Sequence, residues 1–266
     1  MSQPESLPVD DRGLAYGDGC FETLRVVRGR APLAELHLSR LQQGAERLGI
    51  DVCPQALRRE LNQALAGCST DAVIKMILTR GSGGRGYRLP SSASPRLLLQ
   101  TAALPVPGEN LRRQGLALHL CSLHLSSQPI LAGIKHLNRL EQVLARAETD
   151  RAGLDEGLLL NARGCPVELT AMNLFARFAD TLWTPALNEC GVSGVMRRYL
   201  LETLLPTSGF KAAVSERPLS TLRDADEVFA CNSVVGILPV RKLGLWQWPV
   251  GELTASLQQS VDELWQ

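Results

Sequence analysis

The sequence predicts a mixed α+β (α/β) chain in two lobes, on three observations. Short runs rich in apolar and β-branched residues outnumber the helical segments, yet helices punctuate them. A Pro-Val-Pro-Gly stretch at 105–108 breaks the pattern, so a smaller lobe is placed at 1–108 and a larger one at 109–266. Hydrophobic residues at 45% against 21% charged suffice for a buried core in 266 residues.

The elements follow in order. Residues 9–19 are turn-rich, and 20–27 read as a strand from their apolar and β-branched content. Arg28-Gly-Arg-Ala-Pro is a turn. Leu36, Leu41, Ala45 and Leu48 lie near helical spacing and predict a helix over 34–48, with Arg40 beside the stripe. A second helix is expected at 55–66, then strands at 71–79 and 96–102. Between these strands, Gly81-x-Gly83-x-x-Gly86 matches a dinucleotide fingerprint. The match is rejected because Tyr-Arg-Leu-Pro follows, where the fingerprint needs a helix aimed at a pyrophosphate. The loop reads as a flexible flap carrying Arg85 and Tyr87, or as a solvated hairpin loop. Residues 105–113 read as a linker, 116–122 as a strand and 138–152 as a helix. A hairpin is expected over 157–161 and 166–170, with strands at 174–178 and 181–184. A helix starts after Ser193, a candidate N-cap. Strands at 212–216, 227–230 and 236–240 and a helix at 253–264 complete the chain.

A net charge of +1 with scattered arginines gives no reason to expect nucleic acid or an anionic membrane as partner. The N-terminus lacks a secretion-signal pattern, and no apolar run spans a bilayer. Seven widely spaced cysteines form no CxxC pair and no zinc-ligand spacing, so no metal is expected and reduced thiols in the cytoplasm are.

Only four lysines occur among 28 basic residues: Lys75, Lys135, Lys211 and Lys242. Three are expected to face water from strands. Lys135 instead lies between a Gly-containing apolar segment and an amphipathic helix. Arginine cannot replace lysine where the nitrogen must lose its proton and act as a nucleophile. From position alone, an ordinary loop lysine remains the alternative.

Five segments, in order, carry more. They are Gly17-Asp-Gly-Cys-Phe-Glu-Thr, His37-Leu-Ser-Arg40-Leu, Gly133-Ile-Lys135-His-Leu-Asn138-Arg-Leu, Glu168-Leu-Thr-Ala-Met-Asn173-Leu-Phe and Gly194-Val-Met-Arg197. Together they resemble the fold-type IV pyridoxal-phosphate enzymes, the class of branched-chain and D-amino-acid aminotransferases. Gly-Ile-Lys-His-Leu-Asn-Arg-Leu-Glu-Gln and Thr79-Arg-Gly-Ser-Gly-Gly-Arg-Gly-Tyr resemble the class's aminodeoxychorismate lyase branch more specifically.

The resemblance implies a two-lobed fold with pyridoxal 5'-phosphate between the lobes. It implies that Lys135 holds the cofactor and moves a proton, and that Glu168 faces the pyridine nitrogen. Arg40, the N–H groups of Val195 and Met196, and the Asn232-Ser233 turn would bind the phosphate. Asn173 is a further cofactor-site candidate. Arg85, aided by Tyr87, would bind a substrate carboxylate. His136 and Asn138 would support the lysine loop, whereas His37, His119 and His124 read as ordinary polar or half-buried residues, not ligands. A homodimer is implied, and conversion of 4-amino-4-deoxychorismate to 4-aminobenzoate and pyruvate in folate synthesis, with a class IV aminotransferase as the alternative. One departure is expected: the family opens with an extended strand, but Met1–Pro8 holds two prolines and little apolar content.

Overall fold

Alternation along two adjacent strands builds the first core. Cys20, Glu22, Leu24 and Val26 are buried on one face of β1 (Gly19–Val26), and Ile74, Met76 and Leu78 on the same face of β2 (Ala72–Thr79). β2 pairs antiparallel with β1 on one side and with β3 (Arg96–Ala103) on the other. The apolar face is covered by Leu38, Leu41 and Ala45 of α2 (Ala34–Leu48) and Leu57 and Leu61 of α3 (Pro54–Ala66). A one-turn helix, α1 (Arg12–Tyr16), precedes β1; Asp11 caps it by accepting from the Gly13 N–H.

The computed structural model describes residues 7–105 and 109–266; most of the expected weak N-terminal stretch falls outside them. The described residues form two units. The first holds those up to Pro105 together with Ile134–Asn138, and the second holds the rest.

The second unit contains a nine-stranded sheet. Its strands are β4 (Leu116–Leu125), β5 (Glu156–Asn161), β6 (Pro166–Leu169), β7 (Asn173–Phe178), β8 (Thr181–Pro185), β9 (Lys211–Ser215), β10 (Glu227–Asn232), β11 (Gly236–Leu243) and β12 (Trp246–Gln247). The order is β10-β11-β4-β5-β6-β7-β8-β9, with β12 beside β11. Because β10 also pairs with β7, the path from β10 round to β7 closes on itself. Trp183 and Leu174 are fully buried in its core, and Phe175 stacks on Phe229 at 5.1 Å. Helices α4 (Glu109–Gln114), α5 (Leu140–Arg151), α6 (Val195–Tyr199), α7 (Leu205–Ser208) and α8 (Glu252–Leu264) complete it. A π-helical stretch, Leu200–Leu204, joins α6 to α7.

The mixed α/β expectation holds. Three readings are corrected. The 105–113 linker contains α4, β4 runs three residues longer than expected, and the helix over 138–152 starts later, at Leu140.

Candidate functional site

Lys135 is positioned by β1. The Phe21 N–H donates to the Lys135 carbonyl at 2.9 Å, and the Leu137 N–H to the Gly19 carbonyl at 3.0 Å. A bridge joins Cys20 to His136. This short pairing sets the Lys135 side chain over Phe21, with Nζ 4.5 Å from the ring centroid. Asn138 supports the segment by donating Nδ2–H to the Gly17 carbonyl at 3.1 Å. Lys75 does not simply face water: its Nζ lies 5.2 Å from the same ring.

Arg40 lies on α2 and meets Glu22 on the buried face of β1. Nε donates to Oε1 at 2.6 Å and Nη2 to Oε2 at 2.5 Å. His37 Nδ1 is 2.6 Å from Oε2. Burial pushes the Glu22 carboxyl up, but Arg40 and then His37 outweigh it and hold it down to about 2. Burial pushes the His37 imidazole down. An ionised carboxylate only accepts, so the network assigns the proton of neutral His37 to Nδ1. Nε2 is then a buried acceptor without a hydrogen-bond partner. His37 is therefore a buried member of this network, more enclosed than the ordinary polar or half-buried residue expected.

The loop after β2 is glycine-built. Gly81, Gly83, Gly84 and Gly86 all have positive φ, and a Cβ on Gly84 would lie 2.1 Å from the Arg88 carbonyl. β3 follows it, not a helix, in keeping with the rejected fingerprint. Arg12, 4% exposed, crosses from α1 to this loop. Its Nη1 donates to the carbonyls of Gly83, Gly86 and Arg88 at 3.4, 3.1 and 3.3 Å, while Nε donates to Asp18 at 2.8 Å. Arg80 holds the other side of Asp18 and the Leu48 and Gly49 carbonyls at the end of α2. Three carbonyls around Arg85 thus accept from one side chain of α1, a tether for the loop that the sequence leaves as flap or solvated hairpin. Arg85 is exposed, and Tyr87, 85% exposed, meets the Tyr16 ring at 5.5 Å.

In the second unit, Glu168 on β6 is 4% exposed. Oε1 accepts from Gln142 Nε2 at 3.1 Å, and Oε2 from the Val192 N–H at 2.8 Å. Asn173, directly opposite on β7, donates Nδ2–H to the Val192 carbonyl at 2.9 Å. Both side chains therefore fix the segment leading into α6. That helix starts at Gly194, and Ser193 is not its cap. A Cβ at Gly194 would lie 1.8 Å from Asn173 Oδ1, so only glycine allows this approach. Val195 and Met196, both buried, carry the first N–H groups of the helix, which have no intrahelical acceptor. At the end of β10, Asn232 Oδ1 accepts from the N–H groups of Val234 and Val235, and Nδ2 donates to the Ala171 carbonyl. Its side chain shapes the turn that carries Ser233.

Lys135 and Arg40 thus meet adjacent residues of β1, while Glu168, Asn173, Val195 and Met196 gather around 192–196. Sequence reasoning missed Glu22, Arg12 and Gln142. The available signal was His37-x-x-Arg40, which puts a cation and an imidazole on one helix face in want of a carboxylate.

Residues 19–243 match the family described as Amino-transferase class IV. The chain is 36% identical over 262 residues to an aminodeoxychorismate lyase of Vibrio harveyi, covering 96% of each. It is 29% identical to a putative branched-chain-amino-acid aminotransferase of Methanocaldococcus jannaschii, covering 96% of this chain and 90% of that one. A crystal structure of 4-amino-4-deoxychorismate lyase from Pseudomonas aeruginosa superposes with a TM-score of 0.94 at 48% identity, covering 98% of this chain and 96% of that one.

Proposed function

The chain belongs to the class IV aminotransferase family, and from that premise we propose that it is a lyase converting 4-amino-4-deoxychorismate to 4-aminobenzoate and pyruvate. What carries this reading is full-length similarity to two proteins described as lyases of this kind, stronger than that to the aminotransferase relative. An aminotransferase is the second reading, favoured by that relative and by less similar D-alanine aminotransferases.

Pyridoxal 5'-phosphate, when bound, supplies an electron sink for charge left on the substrate's amine-bearing carbon. The residues present fit this group. Lys135 offers the amine that would hold it. Arg40 and the N–H groups of Val195 and Met196 are donors suited to its phosphate. Asn173 and the Asn232-Ser233 turn shape the same region. The buried carboxylate of Glu168 is suited to keeping a ring nitrogen protonated.

Lys135 then has a second task, taking the proton from the amine-bearing carbon. The carbon–oxygen bond at the neighbouring carbon breaks, the six-membered ring becomes aromatic, and the released enolpyruvyl fragment takes up a proton to give pyruvate. Arg85 and Tyr87 would hold substrate carboxylate on the tethered loop.

We also infer a homodimer. On α5, Leu140, Val143 and Leu144 form a stripe exposed by 75%, 59% and 57%, the apolar surface a partner copy would cover. A role in folate synthesis in the cytoplasm belongs to the same reading, and the seven free cysteines suit a reducing compartment.

A coupled assay tests the proposal: chorismate, glutamine and an aminodeoxychorismate synthase supply the substrate. Equal amounts of 4-aminobenzoate and pyruvate, dependent on this protein and abolished by Lys135→Ala, are expected. Amino transfer to ketoacids without 4-aminobenzoate would favour the second reading.

A further inference from the structure

Gln142 reaches from α5 to the carboxylate of Glu168 on β6, with Nε2 3.1 Å from Oε1. An ionised carboxylate only accepts, so the amide must turn its nitrogen to Glu168. Its oxygen then points away from the carboxylate, and that atom is buried and meets no donor among the described residues. A buried amide oxygen without a partner costs stability, and a methionine of the same reach would fill the place without that cost. Packing of α5 therefore does not account for a glutamine here. What the side chain does is hold one oxygen of one buried carboxylate.

The other oxygen of Glu168 is held by the backbone. Gly191, at φ +84°, precedes Val192, whose N–H donates to Oε2 at 2.8 Å. Gln142 and Val192 are both neutral donors. They orient the carboxylate and favour its ionised form, yet leave its charge in place. A lysine or arginine at 142 would bind Oε1 more strongly but would also compensate that charge. Arg139, just before α5, and the Cys190 thiol also feel the Glu168 charge, and a change at Gln142 leaves both where they are.

We propose that Gln142 is a positioning residue for Glu168: its amide turns the carboxylate toward the ring nitrogen of pyridoxal 5'-phosphate and keeps the shared proton on that nitrogen. The inference rests on the cofactor reading above and deepens it, because it names what sets the strength of the electron sink. A donor on Glu168 lowers the proton affinity of the carboxylate, so the proton stays on the ring. Without Gln142 the proton moves toward Glu168, and the neutral ring withdraws fewer electrons from the amine-bearing carbon.

The test uses the full chain with Gln142→Met and Gln142→Leu, which remove the donor and keep an apolar side chain of similar size. Each apo-protein is titrated with pyridoxal 5'-phosphate and with its 1-deaza analogue, in which a C–H replaces the ring nitrogen, and binding is followed by absorbance. Both ligands carry the same aldehyde and phosphate, so contacts to Lys135 and to the phosphate cancel in the ratio. Wild-type protein should prefer the natural cofactor. Both variants should bind it about tenfold more weakly, and bind the deaza analogue within about threefold of wild type. In the coupled assay kcat should fall on the order of tenfold, with KM within about threefold. Thermal unfolding of the apo-proteins should stay within about 4 °C of wild type. Equal loss for both ligands overturns the inference, because it means that Gln142 only supports the fold around the site. An unchanged preference overturns it as well. If the wild-type protein binds pyridoxal 5'-phosphate but makes no 4-aminobenzoate, the lyase reading fails alone and the ratio still decides for Gln142. If it binds both ligands equally, Glu168 does not face the ring nitrogen and the inference fails with that assignment; if it takes up neither, the cofactor reading fails too.

Discussion

Glu22, 1% exposed, joins Arg40 to His37 within the first unit's core. Removing the buried charge leaves the Arg40 guanidinium uncompensated, so Glu22→Gln is expected to lower stability by about 3–5 kcal/mol, read from urea unfolding at pH 7. The pH dependence has a definite sign. Burial lowers the pKa of His37 in the folded protein, so the unfolded chain takes up that proton first as pH falls below 6.5, and stability declines. Glu22 is depressed from 4.5 to about 2, so its contribution is complete above 4.5 and is lost as pH falls through that window. Glu22→Gln should flatten the wild-type decline between pH 4.5 and 2; an unchanged slope there would mean the carboxylate is not held by these partners. Arg40 was legible as a candidate from its motif. Glu22 was not singled out, because a strand glutamate reads as a solvent-facing residue until the helix that covers it is placed.

The loop over 81–88 depends on one side chain from another element. Its glycines need their positive φ values, but they leave the loop's carbonyls without a regular ladder. Arg12 supplies donors to three of them. Arg12→Ala should leave the sheet folded, since Arg80 still holds Asp18, yet loosen the loop. We expect trypsin to cut after Arg85 or Arg88 on the order of tenfold faster, measured by mass spectrometry under native conditions, from the loss of about one charged hydrogen bond's worth of local stability. Most elements were legible because period dominates them: the stripe over 34–48 and the alternation over 72–79 each bury one face. The short ones were not. α1 and α4 span five and six residues, too few for a helical period to stand out from turn-forming composition. Ser193 has the composition of a cap, but the helix starts one residue later because Gly194 must pack against Asn173.

At the scale of the molecule, the division into units is not a single cut in the sequence. Ile134–Asn138 belongs to the first unit, although Gly133 before it and Arg139 after it belong to the second. The reason is local: β1 has β2 on one edge, and its other edge takes the lysine segment through the Phe21 and Leu137 amides. Ile134, 3% exposed, adds an apolar anchor near Gly44 on α2. The position of Lys135 is therefore set by the first unit's sheet, while the helix that follows it in sequence, α5, packs on β4 and β5. Native-state hydrogen exchange can read this ownership directly. The Leu137 amide should exchange with an opening free energy like that of the β1 amides, within about 1.4 kcal/mol, and should follow them when unit-specific substitutions weaken the first unit's core. Leu41→Ala is such a substitution, expected to cost about 2–5 kcal/mol through the cavity it leaves against β1. If Leu137 instead kept its protection and exchanged with the amides of α5, the lysine would be held by its own helix, and the β1 pairing would not be what fixes it.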